Sequence, residues 1–136
     1  MKAPAYIADA TYPLLRAVTG LMFWQHGDQK LTGWFNGEGG ALSGLGSGDV
    51  GSVAMALAGI LEFLGGLLIL IGFKTRQVAF VLAGQMAVAY WWRHFPDGFW
   101  PMGNRGELAV LYCAIFLYLW TKGSGKWSVD AARANG

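Results

Sequence analysis

The sequence predicts an all-α fold: a single membrane domain, residues 1–136, built as an integral membrane four-helix bundle with both termini on the cytoplasmic side. Three observations predict it. Apolar residues make up 54% of the chain and charged residues only 13%, about half the charged share of a soluble domain. Apolar stretches recur at helical length, and the clearest holds a single charge. Lysine and arginine fall unevenly on the two faces that such a bundle presents.

The first helix is expected over residues 12–33, interrupted by Arg16, His26, Asp28 and Lys30. It is expected to be retained: Lys2 is the lone early positive charge, Arg16 breaks the apolar stretch, and no small-residue cleavage site follows. The second, over residues 53–73, carries only Glu62 and at 1.5 Å per residue reaches roughly 30 Å, the thickness of the hydrocarbon layer. The third runs over residues 76–93 with Gln85 near its middle, and the fourth over residues 105–121. These last two are short, but Trp91, Trp92 and Trp100 at one side and Tyr118 and Trp120 at the other suit the headgroup region. An outer loop, residues 36–52, contains seven glycines, and a polar tail occupies residues 122–136.

Composition and motifs exclude several classes of function. A net charge of +2 with no basic cluster argues against nucleic acid. Cys113 is the only cysteine and sits in an apolar run, which makes it a small core residue and rules out an intrachain disulfide or a cysteine-built metal site. No metal site is expected. A bis-histidine haem would need His26 and His94, the only two histidines, and is disfavoured. Gly46, Gly48 and Gly51 match the dinucleotide fingerprint by spacing, but no strand precedes them and an apolar helix follows, so the segment reads as loop. No nucleophile elbow, Walker loop or HExxH motif is present.

Topology follows from charge. Lys2, Lys74, Arg76, Lys122, Lys126 and Arg133 fall on one side. Lys30, Arg93 and Arg105 fall on the other, with Asp28, Glu38, Asp49, Asp97 and Glu107. The positive-inside rule places the first group, and both termini, in the cytoplasm of a bacterial inner membrane.

Ionisable groups in a bilayer need a partner, a cavity or an escape to the interface. Arg16, Thr19, Phe23, His26 and Lys30 share one stripe of the first helix. Glu62, flanked by Gly59, Gly65 and Gly66, should turn toward the bundle, because glycines let another helix approach closely. An antiparallel first pair brings His26 to the depth of Glu62, which makes His26 the expected partner of that carboxylate. Arg16, Lys30, Arg93 and His94 lie near helix ends and are expected to reach toward water. Gln85 is expected to hydrogen-bond another helix. The outer half of the bundle then gathers His26, Lys30, Glu62, Gln85, His94, Arg105 and Glu107, either as a polar pocket or as ion pairs that fix helix packing.

The residues also resemble a family. His26-Gly27-Asp28-Gln29-Lys30 followed by Gly33-Trp34 is similar to the end of the first helix in DoxX proteins. Ala58-Gly59-Ile60-Leu61-Glu62, Gly65-Gly66 and Gly72-Phe73-Lys74-Thr75-Arg76 resemble that family's second helix and basic turn. His94 with Asp97-Gly98-Phe99, Gly106-Glu107-Leu108-Ala109, and Gly123 through Asp130 resemble its third loop, fourth helix and G-x-G-x-x-S-x-D tail. The resemblance runs from about Leu14 to Asp130. It implies a four-helix bacterial membrane protein related to the DoxD-type subunit of thiosulfate:quinone oxidoreductase, and a link to membrane redox complexes. Thiosulfate oxidation belongs to a divergent branch and is not carried over.

The leading expectation is a redox-linked subunit that binds a quinone-like headgroup in the outer half and works with a partner oxidoreductase. His26 and Lys30 would donate to a carbonyl, Glu62 or Glu107 would move protons, and Phe23, Trp24 and Trp91 would pack on the ring. No covalent cofactor is expected. The alternative is a non-catalytic scaffold or homo-oligomer whose buried charges serve assembly; a solute or proton pathway fits less well, because discontinuous helices are not evident.

Overall fold

The computed structural model describes residues 4–35, 37 and 39–135. Lys2 and Glu38 of the charge distribution, and Asn36 at the start of the expected loop, lie outside the described residues. Among the described residues all regular structure is helical. Four long helices, α1 (Ala5–Leu31), α2 (Val50–Ile71), α3 (Thr75–Ala89) and α5 (Glu107–Lys122), are joined by short α4 (Pro101–Asn104) and followed by α6 (Val129–Ala134). One of them, α2, is both long and apolar enough to cross a membrane.

The boundaries differ from expectation for local reasons. α1 starts at Ala5 after Pro4, and Pro13 sits inside it rather than near its start, forgoing one backbone bond. α2 begins at Val50 instead of residue 53 because the Asp49 side chain accepts from the Ser52 amide at 2.7 Å, capping the first turn. It ends at Gly72, which adopts the left-handed conformation (φ 69°) that a glycine allows. Within the outer loop, Ala41–Gly46 forms a 3-10 turn. The third helix gives way at Tyr90 to a π-turn, Tyr90–His94, and then to a 3-10 turn, Phe95–Asp97. α5 begins at Glu107 because Arg105 takes a positive φ of 61° and ends α4.

Packing divides the long helices into two pairs, α1 along α2 and α3 along α5. The first pair is antiparallel and unusually close. A methyl on Gly27 would lie 2.6 Å from the Phe63 Cα, one on Gly66 2.6 Å from the Trp24 Cα, and one on Gly20 2.7 Å from the Gly66 carbonyl oxygen. In a bilayer such small-residue contact, rather than expulsion of apolar surface from water, is what holds helices together. Between the pairs, Phe23 of α1 packs on Tyr112 and Phe116 of α5 (ring centroids 5.0 and 4.8 Å), beside Leu82 and Met86 of α3.

The tail is a folded clasp rather than a polar extension. Arg16, expected to snorkel, is only 2% exposed, and its guanidinium donates to the carbonyls of Ser124, Lys126 (3.3 Å) and Trp127 (2.7 Å). Tyr12 donates to the Gly123 carbonyl, and Lys126 pairs with Asp9 at 2.9 Å. Asp130 caps α3, accepting from the Lys74 and Thr75 amides at 3.0 and 3.4 Å and from the Ser124 hydroxyl. Arg76 closes α5 through the carbonyls of Trp120 and Thr121, at 2.9 and 2.7 Å. The start of α1, the α2–α3 turn, the end of α5 and the tail are thus tied together at one end of the molecule.

A candidate ligand cleft between the helix pairs

Because the clasp ties one end and the two pairs meet only along part of their length, a cleft opens between them toward the other end. Its volume is about 800 Å³. Small residues make the space: Ala54 and Ala58 of α2 and Gly84 of α3 line it, and a methyl on Gly84 would meet nothing within 4 Å. Most of the remaining wall is aliphatic, including Met55, Leu57, Leu61, Val81, Val88 and Leu108. Apolar walls with a few converging polar groups are typical of small-molecule sites.

The polar groups converge at Glu62, which is 3% exposed. Lys30 donates to both of its carboxylate oxygens, and Gln85 donates to Oε1 at 3.0 Å and to the Ala58 carbonyl at 3.4 Å. The expected partner of Glu62 was His26; the structure gives it Lys30 instead. One turn farther along α1, the longer side chain spans the distance to α2, while the shorter imidazole turns to α5, edge-on to the Tyr112 ring at 5.9 Å. Lys30 is accordingly paired rather than free at the interface, although its side chain remains 30% exposed. Two neighbouring atoms, Gln85 Oε1 and the Tyr112 hydroxyl, are buried without a hydrogen-bond partner among the described residues. The Gln85 amide orientation is set by its nitrogen, which serves two acceptors, so its oxygen is the unpaired end.

Of the residues singled out from sequence, Phe23, His26, Lys30, Glu62, Gln85, His94 and Arg105 all line this cleft. Glu107, Trp24 and Trp91 do not. Glu107 opens α5 on its exposed side, roughly opposite the buried stripe of Ala109, Tyr112, Phe116 and Leu119. Trp24 lies one residue round from Phe23, against Phe63, Trp34 and Phe35, on the far side of α1. Trp91 packs edge-to-face against Tyr90 and at a tilt against Phe95, because the wider π-turn carries Trp92, Arg93 and His94 to the cleft in its place. Arg93 pairs at the surface with Asp97 at 3.6 Å, and His94 Nδ1 meets the Asn104 carbonyl at 3.1 Å.

Tyr112 and Trp92 were missed. Tyr112 was legible as the polar-tipped member of an i, i+3, i+7 buried stripe, whereas nothing in the sequence marks the π-turn that presents Trp92. Asp28, grouped with the outer charges, is a buried helical residue that accepts from the Thr32 hydroxyl at 2.8 Å. Cys113 is half-buried and contacts the Ala83 carbonyl at 3.4 Å, a packing position. No group of His, Cys, Asp or Glu among the described residues forms a metal site.

Helical in all its described regular structure, with one helix long and apolar enough to cross a membrane and a cleft between two helix pairs, the chain has the features of a small helical membrane protein. The chain belongs to the DoxX family: the DoxX family model matches residues 12–95. It is also 38% identical over 119 residues to a protein of Haemophilus influenzae described as "Uncharacterized protein", covering 85% of each chain. No solved structure matches it.

Proposed function

We propose that this DoxX protein is a redox-linked subunit of the bacterial inner membrane whose cleft receives the ring of a lipid-soluble quinone. In this reading α1, α2, α3 with its π-turn, and α5 all cross the bilayer, the clasped end with both termini faces the cytoplasm, and the cleft lies in the outer half. The observation that carries it is the Lys30–Glu62–Gln85 cluster at the wall of a largely aliphatic cleft. Two ammonium protons of Lys30 serve Glu62, which leaves the third for a carbonyl oxygen of the ligand. His26 stands beside it as a second polar group, and Trp92, exposed where it lines the cleft, offers aromatic surface. Electrons would pass to or from a partner oxidoreductase.

The test is extraction of the gently purified protein and mass spectrometry of its lipids, beside a Gly84→Phe variant. Gly84 faces open space, so the new ring fills the cleft without disturbing helix packing. Quinone recovered with the wild type and lost from a folded Gly84→Phe variant is the expected result. Wild-type protein that carries no quinone and takes up none when it is added would favour a scaffold in which the Lys30–Glu62 pair serves assembly alone.

A further inference from the structure

A second, smaller cavity of about 260 Å³ lies beside the first, lined by Met22, Gln25, His26, Gln29 and Phe35. His26 is the one residue that lines both. Its ring packs against Tyr112 at 5.9 Å, it lines the cleft together with Lys30 and Glu62, and it lines the smaller cavity with Gln25 and Gln29, one turn apart on α1. An imidazole in such a wall has the chemistry of a proton carrier. Its neutral form accepts at one ring nitrogen while it donates from the other, and its ordinary pKa lies near neutrality.

We propose that His26 moves protons between a hydroxylated aromatic ring held in the cleft, a quinol or a phenol, and water in the Gln25–Gln29 cavity. The inference rests on the ring-binding reading above and assigns the proton route of that same site. In the forward step the ligand O–H bond breaks with its electron pair kept on oxygen. The proton joins the cleft-side nitrogen of His26, and the proton on the other nitrogen passes to water in the smaller cavity. No electron is transferred, and the ligand is left as its anion beside Lys30, whose ammonium stabilises the new charge. The charged and titratable groups that line the cleft with His26 are Lys30 on its own helix, Glu62 of α2 bound to Lys30, Tyr112 of α5 against its ring, and Arg93, His94 and Arg105. Lys30 is committed to Glu62 and Tyr112 is buried, so neither opens onto the second cavity.

A long-chain alkyl nitrophenol serves as the probe, because its anion absorbs visible light and its ionisation can be followed after a pH jump. Its binding and its relaxation are measured separately on the full-length protein in nanodiscs. Wild-type protein should bind it and relax fast. His26→Gln, compared with wild type at saturating probe, should relax roughly 100-fold more slowly, the span of general acid–base catalysis. His26→Ala should recover speed with added imidazole, and Gln29→Leu, which touches only the smaller cavity, should slow relaxation with binding intact. Unchanged relaxation in His26→Gln with binding preserved overturns the proton route and leaves the ring site standing. Loss of binding in a folded His26→Gln variant makes His26 a binding group and also overturns the route. Failure of the wild type to bind the probe removes both the route and the ring site.

Discussion

Replacing Gly27 by alanine tests the feature on which the cleft depends, the close approach of α1 and α2. The added methyl would stand 2.6 Å from the Phe63 Cα and 2.8 Å from the Glu62 carbonyl carbon. Carbon atoms rest about 3.5–4.0 Å apart, so the helices must part by about 1 Å. Both obstacles are backbone, and no side chain can swing aside to relieve them. Overpacking of this kind costs about 1–3 kcal/mol, and rigid obstacles put Gly27 at the upper end. Alanine recovers about 1 kcal/mol of helix propensity, which leaves a net loss of roughly 2 kcal/mol. Gly84→Ala is the matched control: nothing lies within 4 Å of its new methyl, so only the propensity gain remains, about 0.5–1 kcal/mol in the stabilising direction. Equilibrium unfolding in mixed micelles, followed by circular dichroism, should therefore move the two variants to opposite sides of wild type. A Gly27→Ala protein as stable as wild type would refute the close packing of this pair.

The Lys30–Glu62 pair should respond unequally to loss of either partner. Lys30→Met strands a carboxylate that is 3% exposed and should cost roughly 3–5 kcal/mol, whereas Glu62→Gln leaves a partly exposed lysine that can reach water and should cost less; equal losses in the same unfolding assay would contradict this geometry. In the clasp, the Ser124 hydroxyl and the Lys74 and Thr75 amides hold the Asp130 carboxyl below its ordinary 3.8. A depressed folded-state value means that the contribution to stability is complete above the ordinary value and fades as pH falls through the lower one. The Lys74 and Thr75 amide resonances should titrate with a midpoint below 3.8 in wild type and not at all in Asp130→Asn. For topology, in a Cys113→Ser background, Ser47→Cys should react with an impermeant thiol reagent on intact cells and Asn135→Cys should not; the reverse pattern would invert the proposed orientation.

Composition and helical spacing were enough to determine an all-α chain with an apolar second helix, and the glycines around Glu62 were enough to say that a helix would press close there. Seven of the ten singled-out site residues line one cleft, because placing charge among apolar helices leaves few arrangements; that Arg16 and Asp28 are buried as well was not legible. The identity of the pairs was another matter. Whether His26 or Lys30 reaches Glu62 depends on the relative rotation of α1 and α2 and on side-chain length, neither of which is encoded by depth along the axis. The π-turn that exchanges Trp91 for Trp92, and the positive φ at Arg105 that sets where α5 begins, follow from contacts of Tyr90 and Asn104 with residues several positions away. The clasp is the clearest case. Gly123, Gly125, Ser128 and Asp130 read as a polar tail in one dimension, and they become a lock only when Arg16, Gly72 and the open end of α3 are brought beside them. Local sequence specifies which groups need partners, but only the packed chain decides which partner lies within hydrogen-bonding distance.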